Sequence, residues 1–126
     1  MALNLYLIAS GVLILGLAVF HSLLGEIYLV KRVLRRDNLP HLFGDASFTK
    51  FTIRYAWHLL TILCVATAAI LFAASTQDGR TFAPVVWILV ATFAAAGVWG
   101  IVATRGRHLS WVVLFLAAGL AAIGAT

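Results

Sequence analysis

Residues 3–36 read LNLYLIASGVLILGLAVFHSLLGEIYLVKRVLRR, an apolar run that passes His21 and Glu26 and turns cationic at Lys31. The stretch from about Leu3 to Tyr28 is long enough, at about 1.5 Å per helical residue, to cross the roughly 30 Å hydrocarbon layer of a bilayer. A membrane strand would be shorter and would alternate apolar with polar residues. No basic leader precedes the run, and Lys31 and Arg32 follow it directly. That is the arrangement of an uncleaved anchor, so the segment is expected to be retained.

Three more such runs follow, at about 51–74, 84–103 and 109–125. Of the 126 residues 63% are hydrophobic and only 10% charged, and the mean hydropathy is +1.06. A small soluble domain cannot hide that fraction from water. Helices satisfy their own backbone amides where water is absent. The expected fold is therefore an all-α membrane protein, a single integral domain over 1–126 built as an up-down bundle of four transmembrane helices.

Orientation follows from the cations. Lys31, Arg32, Arg35, Arg36, Lys50 and Arg54 belong to the first connection and its flanks, Arg105 and Arg107 to the third, and Arg80 alone to the second. Cations collect on the cytoplasmic side, which places both termini on the outer side. The net charge of +5 then suits anionic lipid headgroups at the cytoplasmic face and calls for no nucleic acid. The single cysteine, Cys64, falls inside the second run, so no intrachain disulfide is available.

Punctuation between the runs is local. Asp37, Asn38 and Pro40 should stop the first helix near Arg36. Leu42, Phe43, Phe48 and Phe51 should dip from a surface loop into the membrane. Asp45 or Ser47 can cap the second helix, Pro84 fits the first turn of the third, and Gly106 should make a tight turn into the fourth. Ala96 with Gly100, and Ala118 with Ala122, recur one turn apart, a spacing that permits close helix approach within the bundle or between copies.

The polar residues inside the first two runs fall into one antiparallel register, with Glu26 opposite Arg54 and His21 opposite His58. Arg54, His58 and Thr61 share one helix face. His21 and Glu26 lie about 140° apart around theirs, flanking a seam that holds Ser22 and Gly25. Glu26 with Arg54 can be a purely architectural pair near the interface. Trp57, Trp111, Tyr28 and Tyr55 are expected as interfacial anchors. His21 and His58 lie deeper, where an imidazole needs a partner such as Ser22, Thr61 or a carbonyl. His108 starts the fourth run on this side, and His41 lies in the adjoining loop.

HSLLGE at 21–26 and RYAWHL at 54–59 resemble a group of small bacterial four-helix inner-membrane proteins that share His-Ser-x-x-Gly-Glu in the first span and Trp-His in the second. The resemblance covers residues 20 to 60. It implies a multi-pass protein of the bacterial inner membrane and marks His21, Ser22, Gly25, Glu26, Trp57 and His58 as the family site. It implies no reaction.

Three functions fit these residues. In the first, His21, Ser22, Glu26, Arg54, Trp57 and His58 form a ligand site, with His21, Glu26, His58 and His108 as candidate ligands to a transition metal, or two histidines ligating haem. The second is an oligomeric small-solute or proton-coupled transporter. The chain is similar there to small multidrug-resistance exporters in having four short spans with a glutamate in the first. It departs from them because Glu26 is near a helix end and the charge bias between connections is strong. The third is a structural or assembly subunit of a larger membrane complex. No nucleophile with a base, phosphate loop or metal-hydrolase motif is present, which argues against an enzyme.

Overall fold

The computed structural model describes residues 3–77 and 79–126, without the side chains of residues 79 and 80. Four long helices lie side by side: α1 (Leu5–Leu34), α2 (Ser47–Ser75), α3 (Gly79–Thr104) and α4 (Ser110–Gly124). The first two, and Thr81–Thr104 of α3, are long and apolar enough to cross a membrane, while α4 is a shorter apolar helix. With 15 residues it extends about 22 Å, short of the span expected for it. Large apolar side chains such as Val12, Ile88 and Val102 stand exposed around the perimeter. Such a surface suits lipid rather than water.

Helix ends follow their capping chemistry. Asn4 caps α1 by accepting the Leu7 N–H on its side-chain oxygen at 3.2 Å, and its amide donates to the Gly124 carbonyl at 2.8 Å. One short side chain thus ties α1 to the end of α4. A tight turn over Leu42–Asp45 carries left-handed backbone at Phe43 (φ 57°) and Gly44 (φ 102°). Asp45 then accepts both the N–H and the hydroxyl of Ser47 as α2 begins, four residues earlier than the apolar run suggests. Pro84 lies inside α3 rather than in its first turn, because the helix starts already at Gly79. At the far end Arg105 (φ 52°) and Gly106 (φ 75°) reverse the chain, and the Gly106 N–H donates to the Ile101 carbonyl.

Those Ser47 bonds hold the exposed Asp45 carboxyl below the ordinary aspartate value of 3.8. A depressed carboxyl contributes its brace above that value and loses it as pH falls and the proton binds. The Ser47 amide resonance should therefore titrate in acid below pH 3.8, and the titration should vanish in Asp45→Ala.

Neighbouring helices run antiparallel, and α1 is the central one, packed against α2 on one side and α4 on the other. Helix α3 lies against α4, while α2 and α3 touch little. Were these helices in a membrane, lipid would be as apolar as leucine, and their association would depend on close van der Waals fit and on hydrogen bonds. Ser10 is fully buried and donates to the Ala117 carbonyl at 2.9 Å, between α1 and a buried α4 stripe of Ala117, Ala118, Ala121 and Gly124. Gly97 and Gly100 bring α3 against Phe115 and Trp111. The small residues of α4 thus serve packing within the chain.

The core shared by all four helices is confined to one half. Leu7, Ile14, Ala68, Leu71, Ala74, Val86, Leu89, Phe93, Ala117, Ala118 and Ala121 form the core. All belong to the parts of their helices nearest the two termini. Toward the connections that carry the cations α1 stays packed on α2 through Gly25 and Trp57, and a cleft lined by all four helices takes the place of that shared core.

Candidate functional site

His21, Ser22, Gly25 and Glu26 of α1 each have a partner among Arg54, Trp57 and His58 of α2. Residues 21 and 25 are one turn apart and both meet Trp57, whereas 22 and 26, also one turn apart, both meet His58. Two parallel stripes result.

In the first stripe the His21 ring stacks on Trp57 with centroids 4.2 Å apart and planes 9° from parallel. His21 Nε2–H donates to the Trp57 carbonyl at 3.3 Å, and Trp57 Nε1–H donates back to the His21 carbonyl at 3.2 Å. Gly25 makes the room, since a Cβ there would lie 2.7 Å from the indole Nε1. Trp57 is thus a half-buried strut of the hairpin.

In the second stripe Arg54 Nη2 donates to Glu26 Oε1 at 2.8 Å. His58 Nε2 lies 3.3 Å from Glu26 Oε2, close but not aligned as a hydrogen bond, which leaves that buried oxygen without an aligned donor. The other ring nitrogen of His58, Nδ1, shares a hydrogen bond with the Ser22 hydroxyl at 3.2 Å. Side-chain exposures of 49% for Arg54, 36% for His58 and 20% for Glu26 put this group on the perimeter of the α1–α2 pair. Ser22, His58 and Glu26 stand in the order of a nucleophile, base and acid. Ser22 sits mid-helix, however, where neighbouring amides are spent on helical bonds and cannot hold an oxyanion.

The π turn at Glu26–Val30 begins where the stripes end. Lys31 N–H bonds back to the Glu26 carbonyl, and the wider turn shifts the phase of all that follows. Such turns recur at functional sites.

On the other side of the hairpin a cleft of about 860 Å³ opens among all four helices. Ile14, Phe93 and Leu114 line its inner end, where the core begins. Its walls are Phe20, Leu24 and Tyr28 of α1, Trp57, Leu60 and Cys64 of α2, and Ala96, Trp99, Gly100 and Ala103 of α3. His21, Thr104, His108 and Ser110 supply polar groups toward the cationic end. The hydroxyl of Thr104 is spent on the Gly100 carbonyl, and Ser110 pairs with His108 Nδ1 at 2.8 Å. The volume is within the usual range for small-molecule sites, roughly 300–1,000 Å³, and so is the pattern of apolar walls with few polar groups.

The six residues expected to form one ligand site are therefore divided. Trp57 and His21 border the cleft, whereas Ser22, Glu26, Arg54 and His58 are absent from its lining. His21 is not paired with His58, because its ring is held flat against Trp57. Nor do His21, Glu26, His58 and His108 converge: among the described residues no group of three or more His, Cys, Asp or Glu side chains is placed to hold a metal ion. Glu26 and His58 meet, while His108 is turned to Ser110. The cleft wall on α3 was missed. Its only signal is the recurrence of Ala96, Gly100 and Ala103, small residues that also read as packing.

Comparison with known proteins finds no match, whether to a family model, to a curated protein or to a solved structure.

Proposed function

We propose that this is a multi-pass protein of the bacterial inner membrane, with both termini outside, that binds an amphiphilic small molecule in the cleft. The observation that carries this reading is that the core shared by all four helices fills one half of the bundle, while a cleft of about 860 Å³ lined by all four replaces it in the other. Its walls are apolar, with two imidazoles at its cationic end. An apolar body would lie against Leu60, Phe20 and Trp99, and a polar head would meet His21 and His108. The perimeter group of Glu26, Arg54, His58 and Ser22 serves as the brace that keeps α1 and α2 in register.

Ala96→Trp tests this reading, because Ala96 lines the cleft, with Ala95→Trp on the exposed face of the same helix as control. Mass spectrometry, elemental analysis and an absorption spectrum of gently purified protein should reveal a compound at near-stoichiometric amount. It should be lost in Ala96→Trp and retained in Ala95→Trp. A protein that carries no such compound, or the same amount in both variants, refutes the assignment.

A further inference from the structure

Resting on that reading, we infer that the occupant is an anionic phospholipid of the inner leaflet, one acyl chain in the cleft and the phosphate among the cations at its mouth. Three observations on separate parts of the molecule point this way. The first is shape. Helices α2 and α3 touch little although both line the cleft, and a seam between two such loosely packed helices would let a lipid chain enter from the bilayer without leaving it. The second is wall chemistry. A channel for water or ions would need polar groups along its length, but here the middle and inner end are Leu60, Leu63, Phe93 and Leu114, and Thr67 and Thr92 are bonded to carbonyls of their own helices. Only a chain-like apolar body is satisfied by such walls.

The third is charge at the mouth. His108 lines the cleft and is the last residue but one before α4, in the same short turn as Arg105 and Arg107. Across the mouth Tyr28 and Leu29 line the cleft just before Lys31 and Arg32. These four cations are exposed, and among the described residues none of them makes a salt bridge. Of the acidic groups near this end, Glu26 faces Arg54 and His58 and Asp45 holds Ser47, while Asp37 follows Arg36 in the first connection and leaves the cations in excess. A cationic rim with free guanidinium and ammonium groups above an apolar slot matches a phosphate with an attached chain. A zwitterionic headgroup would bring its own cation into that rim and lose the advantage.

The wild-type protein decides the matter directly. Reconstituted in nanodiscs of phosphatidylcholine with a minor share of phosphatidylglycerol, then stripped of bulk lipid by mild detergent, it should retain phosphatidylglycerol above the input ratio. The enrichment should be roughly fivefold for each cation engaged, the ratio that about 1 kcal/mol per basic residue at a membrane surface corresponds to. Arg105→Gln with Arg107→Gln should return the retained ratio toward the input value while leaving the helical spectrum unchanged.

A second measurement uses Trp57 as reporter in a chain whose Trp87, Trp99 and Trp111 are replaced by phenylalanine. Trace phosphatidylglycerol with brominated acyl chains should quench it several times more than brominated phosphatidylcholine does. Equal retention and equal quenching by the two lipids would overturn the inference and leave the cleft as a site for any chain. Absence of quenching by either would remove the binding reading as well. A purified protein with a Soret band or bound metal and no phospholipid, or a lipid-free dimer with the cleft covered by a second copy, also overturns it.

Discussion

Gly25→Ala should destabilise the protein far more than the addition of one methyl group to a helix surface. The new Cβ would lie inside the van der Waals envelope of the Trp57 ring, 2.7 Å from its Nε1, and the indole is no flexible tip that can swing aside. It is pinned by its own bond to the His21 carbonyl and by the stacked imidazole. Overpacking of this kind costs about 1–3 kcal/mol. Displacing the ring adds about 0.5–1.5 kcal/mol for the lost aromatic stack. Unfolding in mixed detergent should register the sum, together with a red shift of Trp57 emission. Gly16→Ala is the matched control, since nothing lies within 4 Å of a Cβ there, and helix propensity makes it neutral or stabilising by up to about 1 kcal/mol. Equal stability of the two variants would show that the hairpin does not depend on the close approach at Trp57.

Ser10→Leu should have the second large effect, at the other end of α1. The Ser10 side chain has no exposed surface, and its hydroxyl reaches the Ala117 carbonyl across an interface whose α4 side is almost entirely alanine. Leucine would force α1 and α4 apart and delete the bond between them, where membrane helices have little but contact to hold them. A loss of about 2–4 kcal/mol is expected from overpacking with the missing hydrogen bond. Ser10→Ala removes the bond alone and should cost only about 1 kcal/mol. If leucine and alanine cost the same, the close α1–α4 seam is not what holds the terminal half together.

The two variants probe halves of the chain that were unequally legible. The Glu26 to Arg54 pair follows from counting along an antiparallel hairpin, since equal steps from the connection bring residues level. Counting along the axis leaves the rotational phase open by a residue or so. His21 and Ser22 are neighbours in sequence, yet His21 lies on Trp57 and the cleft while Ser22 meets His58 on the perimeter. The choice of His21 as partner to His58 erred by one position, or about 100° around the helix. The π turn from Glu26 onward has no composition of its own that would betray it.

What the residues alone determine here is local and compositional: four apolar runs, the helices they must form without water, the cationic connections and the pairing of the first hairpin. Where the core ends and the cleft begins was decided only by tertiary packing. In a soluble protein the apolar face of a helix points inward, and its period betrays the core. Here lipid and core are equally apolar, so every face looks alike in sequence. The distance at which two helices settle is set by which side chains meet across the gap.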